Sequence, residues 1–95
     1  MQIEELRDKL CESIRKKFPN NYSDQQRFIA LVTQVGELGD LILIHDGVKK
    51  DFKDQHNRLQ EAAFNVLIDL LVLCKQLHVD IEKEAELALE CFKKI

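Results

Sequence analysis

The residues of this chain with most chemistry to offer are acids and amides repeating at helical spacing. At about 100° per residue, Gln26, Thr33, Glu37 and Asp40 fall on one helical stripe, with Gln34 at its edge. Arg58, Glu61, Asn65, Asp69 and Gln76 share a second stripe, interrupted by Val72. Both stripes cross otherwise apolar segments. Phe28, Leu31, Val32, Val35, Leu38 and Ile42 surround the first, and the run Val66-Leu-Ile-Asp-Leu-Leu-Val-Leu-Cys74 carries the second. Two readings are open. The stripes are solvent-facing edges of surface helices, or they face each other across a cleft where oxygen ligands hold a hard divalent ion.

Other reactive side chains say less. His45 and His56 flank a connector and His78 ends a helix, without the spacing of a metal trio. Cys11, Cys74 and Cys91 form no C-x-x-C pair, and read as small core apolar groups in a reducing compartment. Lys49, Lys50 and Lys53 can meet phosphates or simply solvate a loop.

Four helices must position these groups. Ile3, Leu6, Leu10, Ile14 and Phe18 make an amphipathic helix stopped by Pro19 and Asn20-Asn21. Ser23-Asp-Gln-Gln26 is a capping box that opens a helix from Asp24 to about His45, closed by Asp46-Gly47. After a basic connector from Val48 to about Asp54, a third helix spans roughly Gln55 to Leu77, ended by His78. Asp80 caps a fourth, on which Ile81, Ala85, Ala88, Phe92 and Ile95 form one stripe. Short connections favour antiparallel neighbours, and no segment reads as a strand. The expectation is a single all-α domain over residues 1–95, a four-helix bundle with antiparallel central helices.

Composition narrows the function classes. With 14 Lys+Arg against 17 Asp+Glu, the net charge of -3 argues against a general nucleic-acid binder. At 45% hydrophobic and 33% charged, the chain is too apolar for disorder and too charged for a membrane. Met1-Gln-Ile-Glu-Glu does not resemble a signal peptide, and the longest apolar run, Leu70–Cys74, is far short of a ~20-residue span. A cytoplasmic protein is expected. The two central helices carry more apolar perimeter than two thin flanking helices cover, which predicts a homodimer or higher homo-oligomer through them.

Leu31-Val-Thr-Gln-Val-Gly-Glu-Leu-Gly-Asp40 resembles the first signature, L-V-E-E-V-G-E-L-A-E, of the MazG-like all-α nucleoside-triphosphate pyrophosphohydrolases. Glu61-Ala-Ala-Phe-Asn-Val-Leu67, running on to Leu77-His-Val-Asp80, resembles the second, E-E-L-x-D-V-L with its L-G-I-D or C-H-V-D ending. The resemblance covers about Glu4 to Lys94, and is nearest to the small dCTP pyrophosphatase-like members. It implies a MazG-like bundle that dimerises, a nucleoside triphosphate as substrate, and Mg2+-dependent release of pyrophosphate. In that chemistry two pairs of acids three residues apart hold the ion, which neutralises the phosphates. A carboxylate, here Glu37, orients or deprotonates the attacking water.

Matched onto this chain, the first pair reads Gln34 and Glu37, the second Ala62 and Asn65, and the extra acid before the first pair is Thr33. Only Glu37 remains of the four expected carboxylates. Asp40 and Asp69 lie one turn beyond the pairs and would sit roughly 15 Å apart in an antiparallel pair. A displaced metal site of Glu37, Asp40 and Glu61 is geometrically open, and so is the competing reading in which Arg58 simply pairs with Asp40. Gln34, Asn65, Asp69 and Lys53 complete the candidate substrate contacts. Asp69, inside the most apolar segment, is expected to point into the polar line.

Three functions follow from different classes. One is an Mg2+-dependent pyrophosphohydrolase with a reduced ligand set. Another is a noncatalytic helical dimer binding a nucleotide or a protein, and the third is an unrelated helical adaptor.

Overall fold

Helix boundaries follow side-chain chemistry closely. In the computed structural model, which describes residues 2–17 and 22–94, four helices follow one another: α1 (Ile3–Lys17), α2 (Asp24–His45), α3 (Leu59–Gln76) and α4 (Ile81–Lys93). No strand occurs among the described residues, so the chain is all-α. Phe18, Pro19, Asn20-Asn21 and Ile95, invoked above for helix ends and faces, lie outside the described residues.

The expected capping box opens α2. Ser23 Oγ accepts from the Gln26 amide at 3.2 Å, and Gln26 Oε1 accepts from the Ser23 amide at 2.9 Å. The helix closes through Gly47 at φ +76°, with Gly47 N–H donating to the Ile44 carbonyl and Val48 N–H to that of Leu43. This is a Schellman turn. At the end of α3 the same turn recurs, with His78 at φ +59° donating to Lys75 and Val79 donating to Cys74. Here a residue with a Cβ sits where glycine belongs. α4 then starts on Asp80, whose Oδ1 accepts from the Lys83 amide at 3.1 Å.

The start of α3 departs from expectation. A helix from about Gln55 was anticipated, but a 3-10 turn at His56–Arg58 precedes Leu59. Asp51 is the reason: its carboxylate oxygens accept from the amides of Gln55 at 2.6 Å and His56 at 2.8 Å, tying that backbone to the connector.

Polar ties fix how α2 and α3 run. Near the start of α2, Arg27 Nε donates to Gln76 Oε1 at 3.3 Å, and Gln76 Nε2 donates to Asp24 Oδ1 at 3.0 Å. Further along, Glu37 meets Arg58 at the start of α3. Rising numbers on one helix meet falling numbers on the other, so the pair is antiparallel. Leu41, Ala62, Leu71, Val72 and Leu73 form the buried core. α1 lies against α3, where Lys75 Nζ reaches Asp8 Oδ1 at 2.6 Å. α4 leaves the end of α3 at 109° and touches α1.

That core is small for the chain. A radius of gyration of 16.0 Å exceeds the ~12 Å of a compact 95-residue domain. The accessible surface of 7532 Å² is roughly 1,900 Å² above that of a folded monomer of this mass. Phe28, Ile29, Val32 and Val35 on α2, Phe64, Leu67 and Leu70 on α3, and Leu87, Leu89 and Phe92 on α4 are all exposed.

α2 also bears on the membrane expectation. Its 22 residues contain an 18-residue window of mean hydropathy 1.5, so by length and composition it is long and apolar enough to cross a membrane. Counting uninterrupted apolar runs missed this, because Gln34 and Glu37 break the run without lowering the average enough. The core helix of a soluble protein has the same composition.

Two substitutions test these assignments in denaturant unfolding. Leu71→Ala, at a position 2% exposed, is expected to lower stability by about 2–5 kcal/mol. His78→Gly is expected to raise it by roughly 1 kcal/mol by relieving the left-handed conformation.

Candidate functional site

Glu37 lies in the third turn before the end of α2, 34% exposed, with Oε1 2.8 Å from Arg58 Nη2. Arg58 was expected to take Asp40. Instead, Asp40 pairs with Lys49 at 3.1 Å. The physical reason is register: Asp40 borders the connector rather than α3, and with Lys49, Lys50, Phe52 and Lys53 it lines a cavity of about 170 Å³. Glu61, in the first turn of α3, is exposed and makes no ion pair among the described residues.

The three candidate metal ligands are therefore not gathered. Among the described residues, the acid and histidine group with ligand atoms all within 4.8 Å of one another is Asp51, Asp54 and His56, not Glu37, Asp40 and Glu61. Of the candidate substrate contacts, Gln34, Asn65 and Asp69 are half-buried on the central pair and Lys53 is exposed on the connector. The ties at Gln76 and Arg58 put Gln34 at about the level of Asn65. Gln34 Oε1 is buried there without a hydrogen-bond partner.

Mg2+ wants six oxygens in a near-ideal octahedron. Against that demand, Glu37 is already neutralised by a guanidinium, and the position that would hold a third acid is Ala62, 0% exposed. A methyl group packed without residual surface leaves neither an oxygen nor space for a coordinated water. Gln34 offers one neutral carbonyl oxygen. These residues do not fit the ion.

Asp69 is the acid whose electrostatics the seam alters most. Burial pushes its carboxyl above the usual aspartate range, and the positive charge of Arg27 only partly opposes this. It stands half-buried.

The connector holds a grouping that the spacing of histidines alone does not reveal. His56 Nδ1 lies 3.0 Å from both Asp51 Oδ2 and Asp54 Oδ1. Its signal in the sequence is Asp-x-x-Asp-x-His, a spacing of acids to one histidine rather than of histidines to each other. Asp54 adopts φ +53° to complete the turn. Backbone amides of Gln55 and then the His56 side chain hold the Asp51 carboxyl below its ordinary range. Its oxygens are thus engaged in capping the 3-10 turn.

Set beside known proteins, the chain matches no family model, no curated protein and no solved structure.

The electrostatics give a signed expectation. A carboxyl whose folded-state pKa is raised penalises the fold when ionised, and the penalty vanishes as pH falls below its unfolded value. Asp69→Asn is expected to raise the thermal midpoint near neutral pH, with the gain fading toward about pH 3. Melting curves across that range check it; a loss of stability at neutral pH would contradict it. Asp51, held low, works oppositely: its contribution is present above the unfolded pKa and lost as pH falls through the folded one.

Proposed function

We propose that this chain is a noncatalytic relative of the MazG-like nucleoside-triphosphate pyrophosphohydrolases, a helical homodimer that binds a nucleotide without metal-dependent hydrolysis. The observation that carries this reading is Ala62, 0% exposed on α3 at the position where that family's chemistry needs an acid. Glu37, the remaining carboxylate of the pattern, is held by Arg58. An ion would have to displace a charge-assisted bond and then find too few oxygens.

Nucleotide binding is supported by the connector. Lys50 and Lys53, which make no ion pair among the described residues, border the same cavity as the exposed ring of Phe52. Ammonium groups there attract phosphates, and the ring offers a base a stacking face. Dimerisation is supported by surface area. Burying the excess on two copies would remove roughly 3,800 Å², within the range of obligate homodimers.

A second reading has one observation in its favour. The unpartnered Gln34 oxygen is a vacant acceptor in the seam, and substrate phosphates bring ligands of their own, so weak Mg2+-dependent turnover is the alternative.

A panel of deoxynucleoside triphosphates with Mg2+ or Mn2+ separates the two. Expected are no pyrophosphate release, and a nucleotide-induced rise in thermal midpoint that is equal with Mg2+ and with chelator. At a hundredfold excess over Kd that stabilisation is about 2.7 kcal/mol, and Lys53→Glu should abolish it. Pyrophosphate release that disappears in Glu37→Gln would overturn the noncatalytic reading. Arg58→Ala should change stability by no more than about 1 kcal/mol, as its pair is partly exposed.

A further inference from the structure

We infer that α4 is a docking arm for a second copy of this chain, its apolar face covered only in the dimer. This rests on the homodimer proposed above and adds which element makes it.

No residue of α4 is buried. Ala85, Ala88, Leu89 and Phe92 nevertheless fall on one face, with Ile81 at its start and Phe92 71% exposed. Lys83 and Glu90 lie on the opposite face, and Glu82, Glu86 and Lys93 line one flank. A 13-residue helix falls in the ~12–15-residue range below which isolated helices are marginal in water, so most of its stability must come from packing an apolar face. Its own chain does not supply that packing. The turn at His78, closed by the bond from Val79 N–H to the Cys74 carbonyl at 2.9 Å, directs α4 away from α3. Among the described residues, α4 therefore meets its own chain chiefly at α1.

The area decides the occupant. An excess of roughly 1,900 Å² over a compact monomer is spread over α2, α3 and α4. A second copy offers the complementary surface in equal amount, in the apolar row Phe28, Ile29, Val32 and Val35 of α2. Two-fold exchange satisfies both arms with one contact type.

The test uses the full chain and light scattering at micromolar concentration. Wild type is expected to be dimeric. Leu89→Asp/Phe92→Asp should weaken dimerisation at least about 100-fold and give a monomer that keeps its helical circular dichroism. Ala88→Glu, a single milder change on the same face, should act alike should the double variant lose its fold. Glu90→Lys, on the opposite face, should leave the dimer intact. A dimeric wild type with dimeric Ala88→Glu would overturn the arm while leaving the homodimer. A monomeric wild type would overturn both. If that monomer co-sedimented with phosphatidylcholine vesicles, the face would belong to a lipid surface instead.

Discussion

The antiparallel packing of α2 on α3 is the constraint to which the rest of the molecule answers. Ala62, 0% exposed, is the smallest side chain of the core that this packing leaves buried. Leu41 and Leu71 are buried in the same small core, and the Glu37–Arg58 and Gln76 ties fall at two stations along the pair. On the noncatalytic reading proposed above, the core occupies with a methyl group a position where metal chemistry would need an oxygen.

Much of the architecture was legible because it is written in local chemistry. Asp24–His45 could be bounded from Ser23 and Gln26 at one end and Gly47 at the other, since caps and left-handed turns depend on a few neighbouring residues. The beginning of α3 was not legible for the complementary reason. No residue from Lys53 to Arg58 is apolar, so periodicity carries no information there, and it is the Asp51 carboxylate that takes the amides of Gln55 and His56. The same distinction governs the candidate site. That the polar residues sit on two stripes follows from helical geometry; that Arg58 reaches Glu37 and not Asp40 depends on the axial offset of two helices and on the reach of a long, flexible side chain. Lys49, on the connector, was not a visible rival for Asp40 until the connector folded back on α2.

Marginal burial shapes everything outside the seam. Among the described residues, five buried ones are a thin core for a chain of this length, and small domains retain little net stability once chain entropy is set against burial. Amphipathic surface left over on three helices is then the consequence of how few partners one copy contains. Salt bridges such as Lys9–Glu5 and Lys16–Glu12, both on exposed turns of α1, lend solubility and a few tenths of a kcal/mol apiece, which is too little to substitute for packing.

The two polar ties between α2 and α3 have a mechanical meaning. Arg27 and Glu37 are ten positions apart, about 15 Å along the axis, so the ties act as pins at separate stations of one rail. Sliding by a helical turn, about 5.4 Å, would rupture both at once. A slip of register between α2 and α3 therefore has to break two contacts together, whereas beyond Gln76 the turn at His78 and the contact with α1 set the angle of the last helix.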